Sequence, residues 1–218
     1  MVTLLDYGAL LIRGLGITLW ISWVALILSA IIGAIIGLCR TSKHWYIRLP
    51  ASFYAEYFRS VPILVALFFV YYGLTLLTGI NLSTFLAATI ALALEGGAMM
   101  SEVVRGGLQS IGKGQREAAL SSGMKFWQVE LYIVWPQAIR VMVPPAVGVY
   151  VSTLKASSLT SVIGYVELTK TGLLIRESIR GHSGSLLILI VVATIYVIIN
   201  FLISRFGTML EERNRFVN

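Results

Sequence analysis

Leu15-Gly-Ile-Thr-Leu-Trp-Ile-Ser-Trp-Val-Ala-Leu-Ile-Leu-Ser-Ala-Ile-Ile-Gly-Ala-Ile-Ile-Gly-Leu-Cys39 carries no charge from end to end. It outlasts the roughly 20 apolar residues that cross a bilayer as a helix. Its apolar residues are continuous and do not alternate with polar ones, which excludes a lipid-exposed strand, and a helix satisfies its own backbone hydrogen bonds. Four more predominantly apolar runs follow, at about Phe53 to Leu77, Thr84 to Val104, Pro136 to Leu154 and Ser185 to Ile203. The chain is therefore read as an all-α membrane protein, with five transmembrane helices in a single domain over residues 1–218.

Composition agrees with that reading. Of the 218 residues, 57% are hydrophobic and only 12% are charged, about half the charge of a typical soluble domain. Mean hydropathy is +0.85. The segment Met1 to Asp6 has no basic residue ahead of the first apolar run, so a cleaved secretory signal is not expected. Cys39 is the single cysteine, which leaves no internal disulfide and no thiol pair for a metal. The formal net charge of +7 could point to nucleic acid, but the basic residues sit between the spans, where they set membrane orientation.

Twelve of the 17 Lys and Arg residues fall in one set of loops: Arg40, Lys43, Arg48, Arg59, Arg105, Lys113, Arg116, Lys125, Arg140, Arg205, Arg213 and Arg215. The other set holds Arg13, Lys155, Lys170, Arg176 and Arg180. The richer set is assigned to the cytoplasm, which places the amino terminus outside and the carboxyl terminus inside. The external stretch from Lys155 to Gly184 mixes charge with apolar groups such as Leu159, Ile163, Leu173 and Leu174. It reads as a partly buried re-entrant segment lining a cavity, or else as an amphipathic surface hairpin. Ser29, Gly33 and Gly37 form a small-residue stripe, suited to a subunit interface or to packing within the bundle. Pro144 and Pro145 remove two backbone donors from the fourth span and are expected to kink it.

Between the third and fourth spans, a loop at about 110–130 carries Gln115 to Ser122, good helix formers, followed by Gly123 as a carboxyl-terminal stop. A short cytoplasmic helix between two spans offers a handle to a soluble partner. Gly107-Leu-Gln-Ser-Ile-Gly112-Lys113 imitates a P-loop, but Gly114 stands where Ser or Thr must bind magnesium and a membrane helix precedes it. His44 and His182 fall on opposite sides of the membrane, so no catalytic constellation forms. The chain is not expected to be an enzyme or to bind a cofactor or metal.

Glu117-Ala118-Ala119, then Gly123, Ile133 and an apolar residue before Pro136 resembles the EAA signature of binding-protein-dependent ABC importer permeases, with Trp135 where that family usually has leucine. Phe58-Arg59-Ser60-Val61-Pro62, Tyr71-Tyr72-Gly73, Glu102-Val-Val-Arg105-Gly106-Gly107, Gly114-Gln115 and Pro136-Gln137-Ala138 resemble the polar amino acid subfamily. The resemblance implies a multi-pass protein of the bacterial cytoplasmic (inner) membrane that pairs with an identical or homologous second permease. It further implies ATPase subunits that hold ATP and Mg, an extracytoplasmic solute-binding protein that delivers a polar amino acid or related small zwitterion, and no nucleic acid. Glu117, Ala118, Ala119 and Gly123 would form the ATPase-coupling site.

Glu95 is set eleven residues into the third span, about 16 Å deep at 1.5 Å per residue. A carboxylate there needs a cavity or a partner. Similar permeases carry Lys-Asp followed by Ser or Thr after the fourth span, whereas this chain reads Lys155-Ala156-Ser157-Ser158. In the third span, Glu95 and Met99 stand where those permeases often place a small amide and an aromatic. The comparison implies a substrate pathway of Glu95, Met99, Ser157 and Ser158, and leaves an amino-acid-derived solute or opine open as cargo. Glu102 and Arg105, three apart on a helix, are expected to pair in a structural or gate role. The rival reading is an ion-coupled secondary transporter of small solutes, against which the EAA loop and the lack of an inverted repeat both count.

Overall fold

The computed structural model describes residues 4–179 and 182–215, with side chains over 7–179 and 186–210. Arg180 and the side chains of His182, Arg213 and Arg215, all used above in assigning sides, lie outside that description, as do Met1 to Thr3 and the side chains of Leu4 to Asp6. Every described element is a helix. In chain order these are α1 (Leu4–Arg40), α2 (Trp45–Ser60), α3 (Ile63–Thr78), α4 (Thr84–Ser110), α5 (Lys113–Ser121), α6 (Phe126–Ile163), α7 (Leu168–Ser178) and α8 (His182–Arg215). Four of them are long and apolar enough to cross a membrane, and the count reaches five when α2 and α3 form one broken span.

That break corrects the expectation of one continuous helix from Phe53 to Leu77. Val61 precedes Pro62 and takes extended angles, φ −79° and ψ 127°, because the proline ring disfavours helical geometry in the residue before it. The helices on either side diverge by 104°. After the corner, α3 lays Leu67 and Val70 against Ala87, Ala88, Ala91 and Leu92 of α4 and Ile21 and Ala25 of α1.

Helices α1 and α4 run parallel and form the centre of the bundle. Their approach is set by the small-residue stripe, which serves packing inside the chain. Ser29 donates to the carbonyl of Ala93 (3.5 Å). A Cβ on Gly33 would lie 2.5 Å from Met100 Cβ, and one on Gly37 would lie 2.7 Å from Val104 Cβ. Gly33→Val is expected to destabilise the chain by about 1–3 kcal/mol, the usual range for overpacking, read as a lower melting temperature of the purified protein in detergent. The same substitution at Gly8, where a Cβ meets nothing, should leave the melting temperature within error.

Helix α6 returns antiparallel to α4, with Met142 facing Gly107 and Thr153 facing Gly96. It opens with a π turn over Val129–Val134, just before Pro136, which has no N–H for the carbonyl one turn back. The helix runs unbroken through Pro144 and Pro145 and ends in a 3-10 stretch, Ser157–Ile163.

The stretch after α6 is buried and is not a surface hairpin. Glu167, Leu168, Thr171, Gly172 and Ile175 are all buried. A Cβ on Gly14 of α1 would sit 2.8 Å from Thr171 Oγ1, and one on Gly172 would sit 2.5 Å from Val192 Cγ2 of α8. Helix α7 is thereby wedged between α1 and α8. Elsewhere α8 is sparsely covered, with only 11% of its most apolar window buried. Ile190, Val197, Ile198 and Phe201 are exposed, as suits a helix bathed in lipid.

Candidate functional site

Three groups of polar residues stand out: the α5 loop, a charge cluster beside it, and a stripe along α4. The loop folds for local reasons. Gly123 adopts φ +84°, its N–H reaches the carbonyl of Leu120 (3.0 Å), and the N–H of Met124 reaches that of Ala119 (3.2 Å). This is a Schellman ending, which glycine adopts without steric cost. Ala119 and Met124 pack with Val129, Val134, Ala138 and Met142, so one face of α5 is fastened to the foot of α6. Arg116 Nε and Glu130 Oε1 pair at 3.0 Å, and Gln137 Nε2 donates to Gln115 Oε1 at 2.6 Å.

Glu117, Ala118 and Gly123 remain exposed, whereas Ala119 is buried. The four residues of the motif therefore divide. Ala119 and Gly123 hold the helix in place, and Glu117 and Ala118 are presented outward. The spacing alone did not reveal that division.

The charge cluster joins α1, α2 and α4 at the end of the bundle that carries α5. Arg40, with a side chain only 8% exposed, contacts Glu102 Oε2 at 2.7 Å and Glu56 Oε1 at 3.4 Å, and also donates to Ser101 Oγ at 3.3 Å. Glu102 pairs with Arg105 as expected and stands 3.8 Å from Arg59. Sequence reasoning had Arg40 only as an orientation charge. Its place at the centre of the cluster depends on the parallel register of α1 and α4, which no local pattern shows.

Along α4, Glu95 and Met99 share a half-buried face. No hydrogen bond or ion pair to the Glu95 carboxylate occurs among the described residues. Tyr54 on α2 donates to the neighbouring carbonyl of Leu94 (2.8 Å). Since Thr153 faces Gly96, Ser157 lies about one turn outward of Glu95 along α6. Ser157 is buried and donates to the carbonyl of Leu154 (2.7 Å), and Ser158 donates to that of Lys155 (2.7 Å).

Sequence reasoning passed over Glu167. It is fully buried and caps α7, accepting from the N–H groups of Thr169 (3.0 Å) and Lys170 (2.7 Å). Tyr196 Oη (2.8 Å) and Thr18 Oγ1 (3.4 Å) donate to it from α8 and α1. A groove of about 860 Å³ opens at the α5 end, between α6 and α8, bordered by Gln115, Gln137, Arg140, Pro144, Gly148 and Ser204.

Residues 25–216 match the model of the binding-protein-dependent transport system inner membrane component. The chain belongs to this family. The permease is 36% identical over 205 residues to the glutamine transport system permease protein GlnP of Escherichia coli K12, covering 94% of this chain and 92% of that one. It is 37% identical over 208 residues to the probable glutamine ABC transporter permease protein GlnP of Bacillus subtilis, covering 95% of each. Among solved structures, an amino acid ABC transporter described as having histidines superposes with a TM-score of 0.87 at 33% identity over 96% of both chains. The inward-facing MetNI methionine transporter, at 20% identity and a TM-score of 0.74, shares the fold. The permease is thus the membrane-spanning, non-enzymatic transport subunit of an ABC importer, and membership implies ATPase and binding-protein partners.

Proposed function

We propose that this permease translocates a polar amino acid or related small zwitterion across a bacterial inner membrane, driven by an ATPase docked on α5. The observation that carries the reading is the outward presentation of Glu117 and Ala118 on a short helix whose other face is fixed to α6. Motion of α5 is transmitted to the spans through the Arg116–Glu130 pair and the packing of Ala119. The α5 end is cytoplasmic, the amino terminus lies outside, and ATP and Mg belong to the partner ATPase. A second permease, identical or homologous, completes the pathway. Cross-linking tests the docking: with Cys39 replaced by Ala, Ala118→Cys should form a zero-length or short-linker adduct with an ATPase subunit, and Leu76→Cys, exposed at the far end, should not. Adducts of equal yield from both positions would remove α5 from the docking site.

Glu95 and Met99 face the pathway, with Ser157 and Ser158 a turn outward. The Glu95 carboxylate meets the ammonium group of the substrate in place of the acid that similar permeases carry after the fourth span. Glu95→Gln is expected to lower uptake in reconstituted vesicles at least tenfold, an energy of about 1.4 kcal/mol. Stimulation of ATP hydrolysis by the loaded binding protein should persist. Unchanged uptake and preference would place Glu95 outside the pathway. Glu102, Arg105 and Arg40 act as a pin or gate joining α1, α2 and α4 rather than as substrate ligands.

A further inference from the structure

We propose that the groove between α6 and α8 is a second, cytoplasm-facing site for an amino acid zwitterion, filled by transported product and inhibitory when occupied. The inference rests on the importer reading above. Its volume of about 860 Å³ is in the range of small-molecule sites. Two chemistries meet on its wall. Pro144 and Pro145 have no N–H to give the carbonyls of Arg140 and Val141, one turn earlier on α6, and all four residues border the groove. Those carbonyls forgo their usual helical donors, and an ammonium group brings three.

Arg140 also borders the groove and is exposed. Its planar fork of five N–H donors accommodates a carboxylate alongside other neighbours. The Gln137–Gln115 contact (2.6 Å) leaves the Gln115 amide donors and Gln137 Oε1 for a polar side chain. Cation and acceptor carbonyls therefore occupy the same turn of α6, as an α-amino acid requires. Phosphatidylglycerol brings hydroxyl donors but no ammonium group, so it lacks the cation that pairs with a carboxylate in a zwitterion. Pro144, Gly148, Val151 and Lys155 continue at helical spacing up the same face, toward the level of Glu95, so a released substrate passes the groove as it leaves.

The test is equilibrium binding of radiolabelled L-glutamine, L-histidine and L-arginine, one at a time, to the purified permease–ATPase complex without binding protein. Uptake into vesicles preloaded with the same amino acid is measured in parallel. At least one should bind and inhibit uptake, and neither its decarboxylated nor its deaminated analogue should compete. Arg140→Gln should weaken binding at least tenfold. Gly148→Phe, at a position where a Cβ meets nothing, should do the same by filling the groove, so a folding defect in the arginine variant alone cannot decide the matter. Binding should survive in Glu95→Gln, which separates the groove from the pathway. Uptake without such binding, binding indifferent to both groove substitutions, or displacement by phosphatidylglycerol alone would overturn the site. Failure of the complete importer to take up any amino acid would overturn the underlying reading instead.

Discussion

Glu117→Lys is expected to reduce uptake by at least about 100-fold while the protein still inserts and folds, because like charges set against each other at an interface cost several kcal/mol. Glu117 is exposed and makes no ion pair within the chain among the described residues, so the fold does not depend on it. The outward carboxylate suits a charge-assisted contact to an arginine of the ATPase, and charge reversal would set an ammonium group against that cation. The readouts are uptake, ATPase co-purification and the melting temperature of the permease alone. Loss of the first two with the third unchanged is the predicted pattern. Normal uptake with normal co-purification would detach Glu117 from coupling.

A second large effect is expected at Glu167, and it is one of stability. Glu167→Ala removes the acceptor of two backbone N–H groups and of the Tyr196 and Thr18 hydroxyls. A donor left buried without a partner costs about 1–3 kcal/mol. The Thr169 and Lys170 N–H groups that make up the α7 cap are stranded, whereas Tyr196 keeps Thr169 Oγ1 and Thr18 keeps the Gly14 carbonyl within reach, so the loss should be about 2–6 kcal/mol. Tyr196→Phe takes away one donor and leaves the cap intact, and should cost about 1.5–3 kcal/mol or less. Melting temperatures in detergent should fall in the order wild type, Tyr196→Phe, Glu167→Ala. Equal values for wild type and Glu167→Ala would mean that α7 is held by packing alone.

What the sequence revealed and what it hid have separate physical causes. The apolar run that becomes α1 has no breaker, so hydropathy alone located it. Gly123 announced the end of α5 because only glycine adopts φ +84° there freely. The corner at Val61 and Pro62 was also written locally, in a proline within an apolar run, but hydropathy averages over it and returned one continuous span. Glu167 was hidden for a different reason: its partners Thr18 and Tyr196 are far away in sequence, and a lone carboxylate in a loop looks solvated. The same holds for Arg40, whose role depends on Glu56 and Glu102 being brought to it by the packing of α1 on α2 and α4. Glu95 was legible because depth along a helix follows from counting residues. That no described residue forms an ion pair with its carboxylate was not.

The central claim, that this permease works only as part of an ATP-driven importer, is tested most directly by amino acid uptake into vesicles of defined composition. Permease and ATPase are co-reconstituted, the loaded binding protein is supplied outside and ATP inside, and each component is then omitted in turn. The account predicts uptake that requires ATP, ATPase and binding protein together, and none by the permease alone under a proton or sodium gradient. Gradient-driven uptake by the purified permease without the ATPase would contradict it and favour an ion-coupled carrier.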